Sequence, residues 1–239
     1  MRSILDTYRR GDYRDMVKSE CFLKRYDRIF DELQTDAPVI VELGVYLGGS
    51  LRLWRDTFPD ATIVGFDFEP PAGGFPSGCT FVQGSQAEAA DLQRILRHAE
   101  AIDIVIDDCS HLAEPTKLAF DTLFPHVRPG GVYVVEDWGT GYWPTWPDGE
   151  LPQGGIHLAG MVGLVKRFID TVGIPALNRL RNPPPIYEAN WSTENSPYEY
   201  VTYFPGIVCV KKAMPPGEPM HSPLARKSPS FGPRMIDTP

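Results

Sequence analysis

Ile102-Asp103-Ile104-Val105-Ile106-Asp107-Asp108-Cys109-Ser110-His111 decides the fold, together with Val132-Tyr133-Val134-Val135-Glu136-Asp137 one structural unit later. Each opens on a short apolar run rich in β-branched residues, which reads as a buried strand of a parallel sheet. Each ends in acids. Ligands of open α/β sheets bind beyond the carboxyl ends of the strands, so carboxylates from two strands are expected to meet there with a histidine beside them. Such a group suits a hard divalent cation and a proton acceptor, and it points to an enzyme.

Outward from these runs the chain alternates. Residues 1 to about 36 read as an N-terminal helical segment, with Phe22, Tyr26, Ile29, Phe30 and Leu33 on one face. A strand (Pro38 to Leu43), helix (Ser50 to Thr57), strand (Ala61 to Phe66), strand (Cys79 to Val82) and helix (Ala87 to His98) lead to the first acidic run. A helix (Pro115 to Phe124) separates it from the second. The alternation implies right-handed crossovers and a mainly parallel sheet. A Trp/Pro/Gly-rich loop near 138–157 and a helix from about Leu158 to Val172 follow, then a connection carrying Pro183-Pro184-Pro185. Tyr198 to Phe204 and Ile207 to Lys212 flank Pro205-Gly206, which suits a type II turn, and are expected to pair antiparallel. The domain is thus expected over 37–212. Residues 213–239 hold seven of the chain's 24 prolines and few aliphatics, and read as a flexible tail.

Bulk properties narrow the class. A chain of 239 residues suffices for one α/β domain with a substantial core. A net charge of −8 argues against a nucleic-acid backbone as partner. The cysteines (Cys21, Cys79, Cys109, Cys209) are scattered without CxxC spacing, which suits a reducing compartment and gives no zinc site. No segment reaches the length of a membrane span, and Met1-Arg2-Ser3 lacks a signal-peptide core. A soluble, cytoplasmic protein is the expectation.

Glu42-Leu43-Gly44-Val45-Tyr46-Leu47-Gly48-Gly49-Ser50 joins the first strand to its helix. Its glycines allow close approach of backbone to a ligand, and the helix start offers free N–H groups. It is neither GxGxxG nor a P-loop, and alone it equally fits a tight turn. Asp67 ends the next strand, where an acid accepts hydrogen bonds from both hydroxyls of an adenosine ribose. Gln83-Gly84-Ser85-Gln86 follows the third strand and offers polar groups to an adenine edge. Together these elements suggest an adenosine-containing ligand with no demand for a pyrophosphate.

On these residues the chain resembles the class I S-adenosylmethionine-dependent methyltransferases, with their Rossmann-like α/β fold. More narrowly it is similar to the metal-dependent sugar O-methyltransferases of macrolide biosynthesis, of the macrocin and mycinamicin type. The resemblance runs through Val41 to Tyr46 with Gly48-Gly49-Ser50, Gly65-Phe66-Asp67, Gln83 to Gln86, Asp103 to Asp108 with Ser110-His111, Leu123 to Gly131, and Glu136-Asp137 with Tyr142-Trp143-Pro144. It covers roughly residues 20 to 212. The DDxSH run followed by a strand-end Glu-Asp is its most specific part.

The resemblance implies that Asp108, Glu136 and Asp137 bind Mg²⁺ and that His111 is the general base. It implies a cofactor site of Glu42, Gly44, Tyr46, Gly48, Ser50, Asp67, Gln83, Gly84, Ser85, Gln86 and Asp107. The acceptor it implies is a glycosylated small molecule, methylated on a sugar hydroxyl, and it leaves a homo-oligomer open. The residue types agree with these roles. Mg²⁺ prefers oxygen ligands, and an imidazole ordinarily titrates near neutral pH, which suits proton removal from a hydroxyl. Cys109 stands where the family commonly has glycine, and a positive φ there would strain a cysteine. The alternatives are a methyltransferase for catechol-like phenols, a non-catalytic subunit of the same fold and, more distantly, a nicotinamide dehydrogenase.

Overall fold

The structure is a computed structural model that describes residues 3–13, 15–33, 35–71, 74–177 and 196–215. The 183–185 connection and most of the tail lie outside the described residues.

Two helices open the chain, α1 (Ile4–Arg10) and α2 (Glu20–Asp31), each started by a serine side chain. Ser3 accepts the Asp6 N–H and Ser19 the Phe22 N–H, satisfying amides that a helix start otherwise leaves open. The stretch read as helical is therefore interrupted between α1 and α2, where residues 11–13 and 15–19 are not helical. Beyond it come β1 (Val39–Leu43), α3 (Gly49–Thr57), β2 (Thr62–Asp67), β3 (Cys79–Gln83) and α4 (Ala89–Ile95). The second half holds β4 (Ile102–Asp107), α5 (Ala113–Leu123), β5 (Val127–Glu136), α6 (Gly160–Leu177), β6 (Tyr198–Phe204) and β7 (Ile207–Lys212).

Among the described residues seven strands form one sheet in the order β3-β2-β1-β4-β5-β7-β6. The pairs from β3 to β5 are parallel, and β7 pairs antiparallel with both β5 and β6. The sheet is thus mainly parallel with a terminal antiparallel hairpin, as the alternation and the Pro-Gly turn predict. No helix among the described residues is long and apolar enough to cross a membrane.

Side chains alternate faces along a strand, and this splits the core in two. Val41, Leu43, Val105, Tyr133, Val135 and Val208 face the layer of α4, α5 and α6. Ile40, Ile104, Ile106, Val132, Val134 and Ile207 face the layer of α1, α2 and α3. In that second layer Phe30 stacks between Trp54 and Phe58, at centroid distances of 5.6 and 4.8 Å. The N-terminal helices are consequently part of the main core.

Where β1 and β4 end, backbone meets backbone. The Gly44 N–H donates to the Phe66 carbonyl at 2.8 Å, and the Asp108 N–H to the Leu43 carbonyl at 2.9 Å. Gly44 has φ +82°, and a Cβ built there would lie 2.1 Å from the Asp108 carbonyl oxygen. Neither backbone can give way. Gly44→Ala is therefore expected to destabilise the fold by about 3 kcal/mol, through positive-φ strain and overpacking. Urea denaturation measures this, and an unchanged midpoint would show that the crossing is loose.

Candidate functional site

The alternation that divides the core also divides the acids. Asp107, in register with Val135, points into the α5 layer. There its Oδ2 accepts the Tyr133 hydroxyl at 2.7 Å and its Oδ1 the Gln86 amide at 2.7 Å. Burial pushes this carboxyl up to about 7 even against those two hydrogen bonds. Asp108, the next residue, turns the other way, toward the loop that precedes α2.

Glu42 and Glu136 share that second direction and are both buried. Oε2 of Glu42 accepts from Ser50 Oγ at 2.8 Å and Trp54 Nε1 at 3.0 Å, while its Oε1 has no hydrogen-bond partner. Burial raises this carboxyl to about 7. Oε1 of Glu136 accepts the Tyr26 hydroxyl at 2.5 Å, and its carboxyl is likewise driven upward by burial.

Lys18 joins these groups. Its ammonium lies 2.5 Å from Asp108 Oδ2, 2.6 Å from Glu136 Oε1 and 3.7 Å from Glu42 Oε1, and its side chain is 5% exposed. Burial works against its charge, but the three carboxylates outweigh that and shift it upward. Sequence reasoning missed both Lys18 and Tyr26 as site residues. Tyr26 carried a core signal only, and Lys18 is one lysine in a loop that was read as helix.

The outer side of Asp108 faces a histidine. His111 Nε2 is 3.8 Å from Asp108 Oδ1 and 3.9 Å from Asp137 Oδ2, and one donor atom from each of the three residues lies within 4.8 Å of the others. Of the expected metal set, Asp108 and Asp137 thus meet beside His111. Glu136 stands behind them, bonded to Lys18 and Tyr26. Asp137 is half exposed, and burial, followed by the charge of Asp108, raises its carboxyl.

Two residues of this group sit in left-handed backbone, His111 at φ +52° and Asp137 at φ +51°. The strained position is therefore His111, whereas Cys109 is not among the positive-φ residues. The Trp-rich loop holds it there. Trp146 Nε1 and Thr140 Oγ1 both donate to the His111 carbonyl, at 2.9 and 3.2 Å. The Trp146 ring lies 5.9 Å from the imidazole centroid, and Asp148 Oδ2 accepts the Ala113 N–H where α5 begins.

The residues expected to hold a cofactor fall into three groups. Glu42, Ser50, Gln86 and Asp107 are buried and bonded to one another's loops, with Gln86 Oε1 accepting both the N–H and Oγ of Ser110. Gly44, Tyr46 and Gly48 lie in the turn between β1 and α3, and Asp67 at the end of β2 faces it. Asp67 Oδ2 accepts the Val45 and Tyr46 amides at 2.8 and 3.0 Å, and Gly48 starts α3 at φ +82°. Gln83, Gly84 and Ser85 line a pocket of about 410 Å³ with Phe68, Glu69, Asp91 and Arg94. The pocket lies at the carboxyl ends of β2 and β3.

Residues 41–138 match the family model for a methyltransferase domain. Mycinamicin VI 2''-O-methyltransferase of Micromonospora griseorubida is 38% identical over 159 residues, covering 63% of this chain and 39% of that protein. Demethylmacrocin O-methyltransferase of Streptomyces fradiae is 37% identical over 158 residues, covering 63% and 40%. The chain thus spans about two fifths of the length of these curated relatives (39% and 40%). A solved structure of the MycE methyltransferase in complex with Mg, SAH and mycinamycin VI superposes with a TM-score of 0.70 at 30% identity, covering 91% of this chain and 57% of that one. The fold is accordingly that of a methyltransferase domain.

Trp146→Phe keeps an aromatic ring beside His111 but removes the donor to its carbonyl. It is expected to cost about 1 kcal/mol, the net value of one hydrogen bond, and to speed amide exchange at residues 111–113. Unchanged exchange there would show that Thr140 alone holds the turn.

Proposed function

We propose that this chain, with its methyltransferase-domain fold, is a Mg²⁺-dependent S-adenosylmethionine O-methyltransferase that acts on a sugar hydroxyl of a glycosylated natural product. The observation that carries this reading is the meeting of Asp108, His111 and Asp137 within 4.8 Å beyond the ends of β4 and β5. The glycine turn and the pocket between β2 and β3 lie along the same edge of the sheet, which suits an adenosine group beside the acids. Relatives named as O-methyltransferases of mycinamicin VI, demethylmacrocin and a rhamnosyl tetracenomycin-C support the acceptor class.

The donor set fits the metal. Two carboxylates offer the oxygen ligands that Mg²⁺ prefers, with positions left for water and substrate oxygens. Asp108, Asp137 and the adjacent Glu136 would hold the ion, which when bound orients substrate oxygens and favours loss of a hydroxyl proton. His111 takes that proton at Nε2 as the oxygen attacks the sulfonium methyl. S-adenosylmethionine, when bound, would supply the methyl group for the new C–O bond and leave as S-adenosylhomocysteine, the bonding pair of the broken methyl–sulfur bond staying on sulfur. Asp108 Oδ1 and Asp137 Oδ2 lie 3.8 and 3.9 Å from Nε2. The exposed Trp143 ring lies 6.3 Å from that of Trp146, which neighbours His111, and offers an aromatic face to a sugar ring.

Two outcomes test the reading. Methyl transfer to a glycosylated macrolide acceptor, followed with labelled S-adenosylmethionine, is expected to cease in excess EDTA and to return with Mg²⁺. Full turnover in EDTA would remove the metal from the reading. His111→Ala is expected to lower kcat by roughly 10²–10⁴, the usual worth of a positioned base, with cofactor affinity by calorimetry near that of the parent. A variant that keeps the parental rate would make His111 a structural residue.

A further inference from the structure

The segment of residues 15–19 ahead of α2, and Tyr13 before it, are fastened to α3 on one side of Lys18. The Tyr13 hydroxyl donates to Asp56 Oδ2 at 2.6 Å, and Arg52 pairs with Asp15. Against Gly49, the first residue of α3, the loop packs so closely that a Cβ there would lie 2.8 Å from the Met16 amide nitrogen. Val17 is 86% exposed, yet the next residue sends its ammonium inward to three carboxylates. The loop therefore delivers one buried positive charge to the acidic end of the sheet.

That charge divides Asp108 between two neighbours. Oδ1 lies 3.8 Å from His111 Nε2, whereas Oδ2 is held by Lys18. Glu136 Oε1 is held by Lys18 and Tyr26, and Glu42 Oε1 lacks a hydrogen-bond partner. Any divalent cation that draws on Asp108 and Glu136 meets carboxylates already engaged by an ammonium. Resting on the metal-dependent reading above, we propose that Lys18 is a resident cation that competes with the divalent metal for Asp108 and Glu136, and so sets the metal affinity of the site. Competition for the oxygens and repulsion between like charges act in the same direction. Without metal, Lys18 keeps the buried Glu42 and Glu136 and the partly exposed Asp108 from standing as an uncompensated cluster, which would be strongly unfavourable. With metal, it limits how tightly the ion is held.

The test is direct Mn²⁺ binding to the full chain, by calorimetry and by the electron paramagnetic resonance of the free ion. Lys18→Met keeps a chain of similar length without the charge, and Lys18→Arg keeps the charge. The Met variant is expected to bind Mn²⁺ about tenfold or more tighter than the parent, since it loses both competition and repulsion. It is also expected to be less heat-stable without metal, and to gain more in Tm from Mn²⁺ than the parent does. The Arg variant is expected to bind within about threefold of the parent, because the opposing charge remains. If the Met variant folds only with Mn²⁺ present, the proposal is supported, and Lys18→Gln then supplies the affinity. Equal or weaker Mn²⁺ binding in the neutral variants, beside a parent that binds, overturns this inference alone. Absence of binding in the parent and all variants overturns the metal-dependent reading with it.

Discussion

Three carboxylates from three strand ends point into one buried space, and the lysine placed among them is the interaction on which the site depends. Carboxylates removed from water cost several kcal/mol each unless they are neutralised or bonded. Glu42, Asp108 and Glu136 share the Lys18 ammonium, and the hydroxyls of Ser50 and Tyr26 with the Trp54 indole take up further oxygens. The compensation is incomplete: one Glu42 oxygen has no hydrogen-bond partner, and burial lifts both glutamates above the usual carboxylate range.

The N-terminal helices take on a second role through this cluster. They bury Leu23, Tyr26, Ile29 and Phe30 against the sheet, and through Tyr26 and the loop ahead of α2 they also reach Glu136 and Asp108. Packing in this layer and charge at the site are thereby coupled. A displacement of α2 that loosened Phe30 against Trp54 would also withdraw donors from the carboxylates.

On the outer side the acids are shaped by backbone. Gly44 lets the β1 turn touch the Asp108 carbonyl, Asp67 holds that turn by two amides, and Trp146 and Thr140 fix the carbonyl of a left-handed His111. Left-handed backbone at a non-glycine residue is sparsely populated and needs surrounding contacts to persist. The Trp-rich loop supplies them here. It joins the imidazole position to the segment that carries exposed Trp143.

Periodicity in the sequence determined the strands, their mainly parallel pairing and the antiparallel hairpin, because buried strands of this kind need apolar runs of limited length between turn residues; their order in the sheet came from the structure. It also determined that Asp107, Asp108, Glu136 and Asp137 end adjacent strands, with His111 following the first pair. Tertiary structure alone decided how these neighbours divide. The two-residue repeat sends Asp107 to Tyr133 and Gln86 and turns Asp108 toward Lys18, a distinction that two identical side chains in a row do not display. Lys18 itself was illegible: it lies 90 residues from Asp108 and 118 from Glu136, in a loop without periodic pattern. A lysine on the surface and a lysine buried among carboxylates are the same letter in the sequence. Only the packing of α2 and α3 against the sheet makes the second environment, and with it the charge balance of the site.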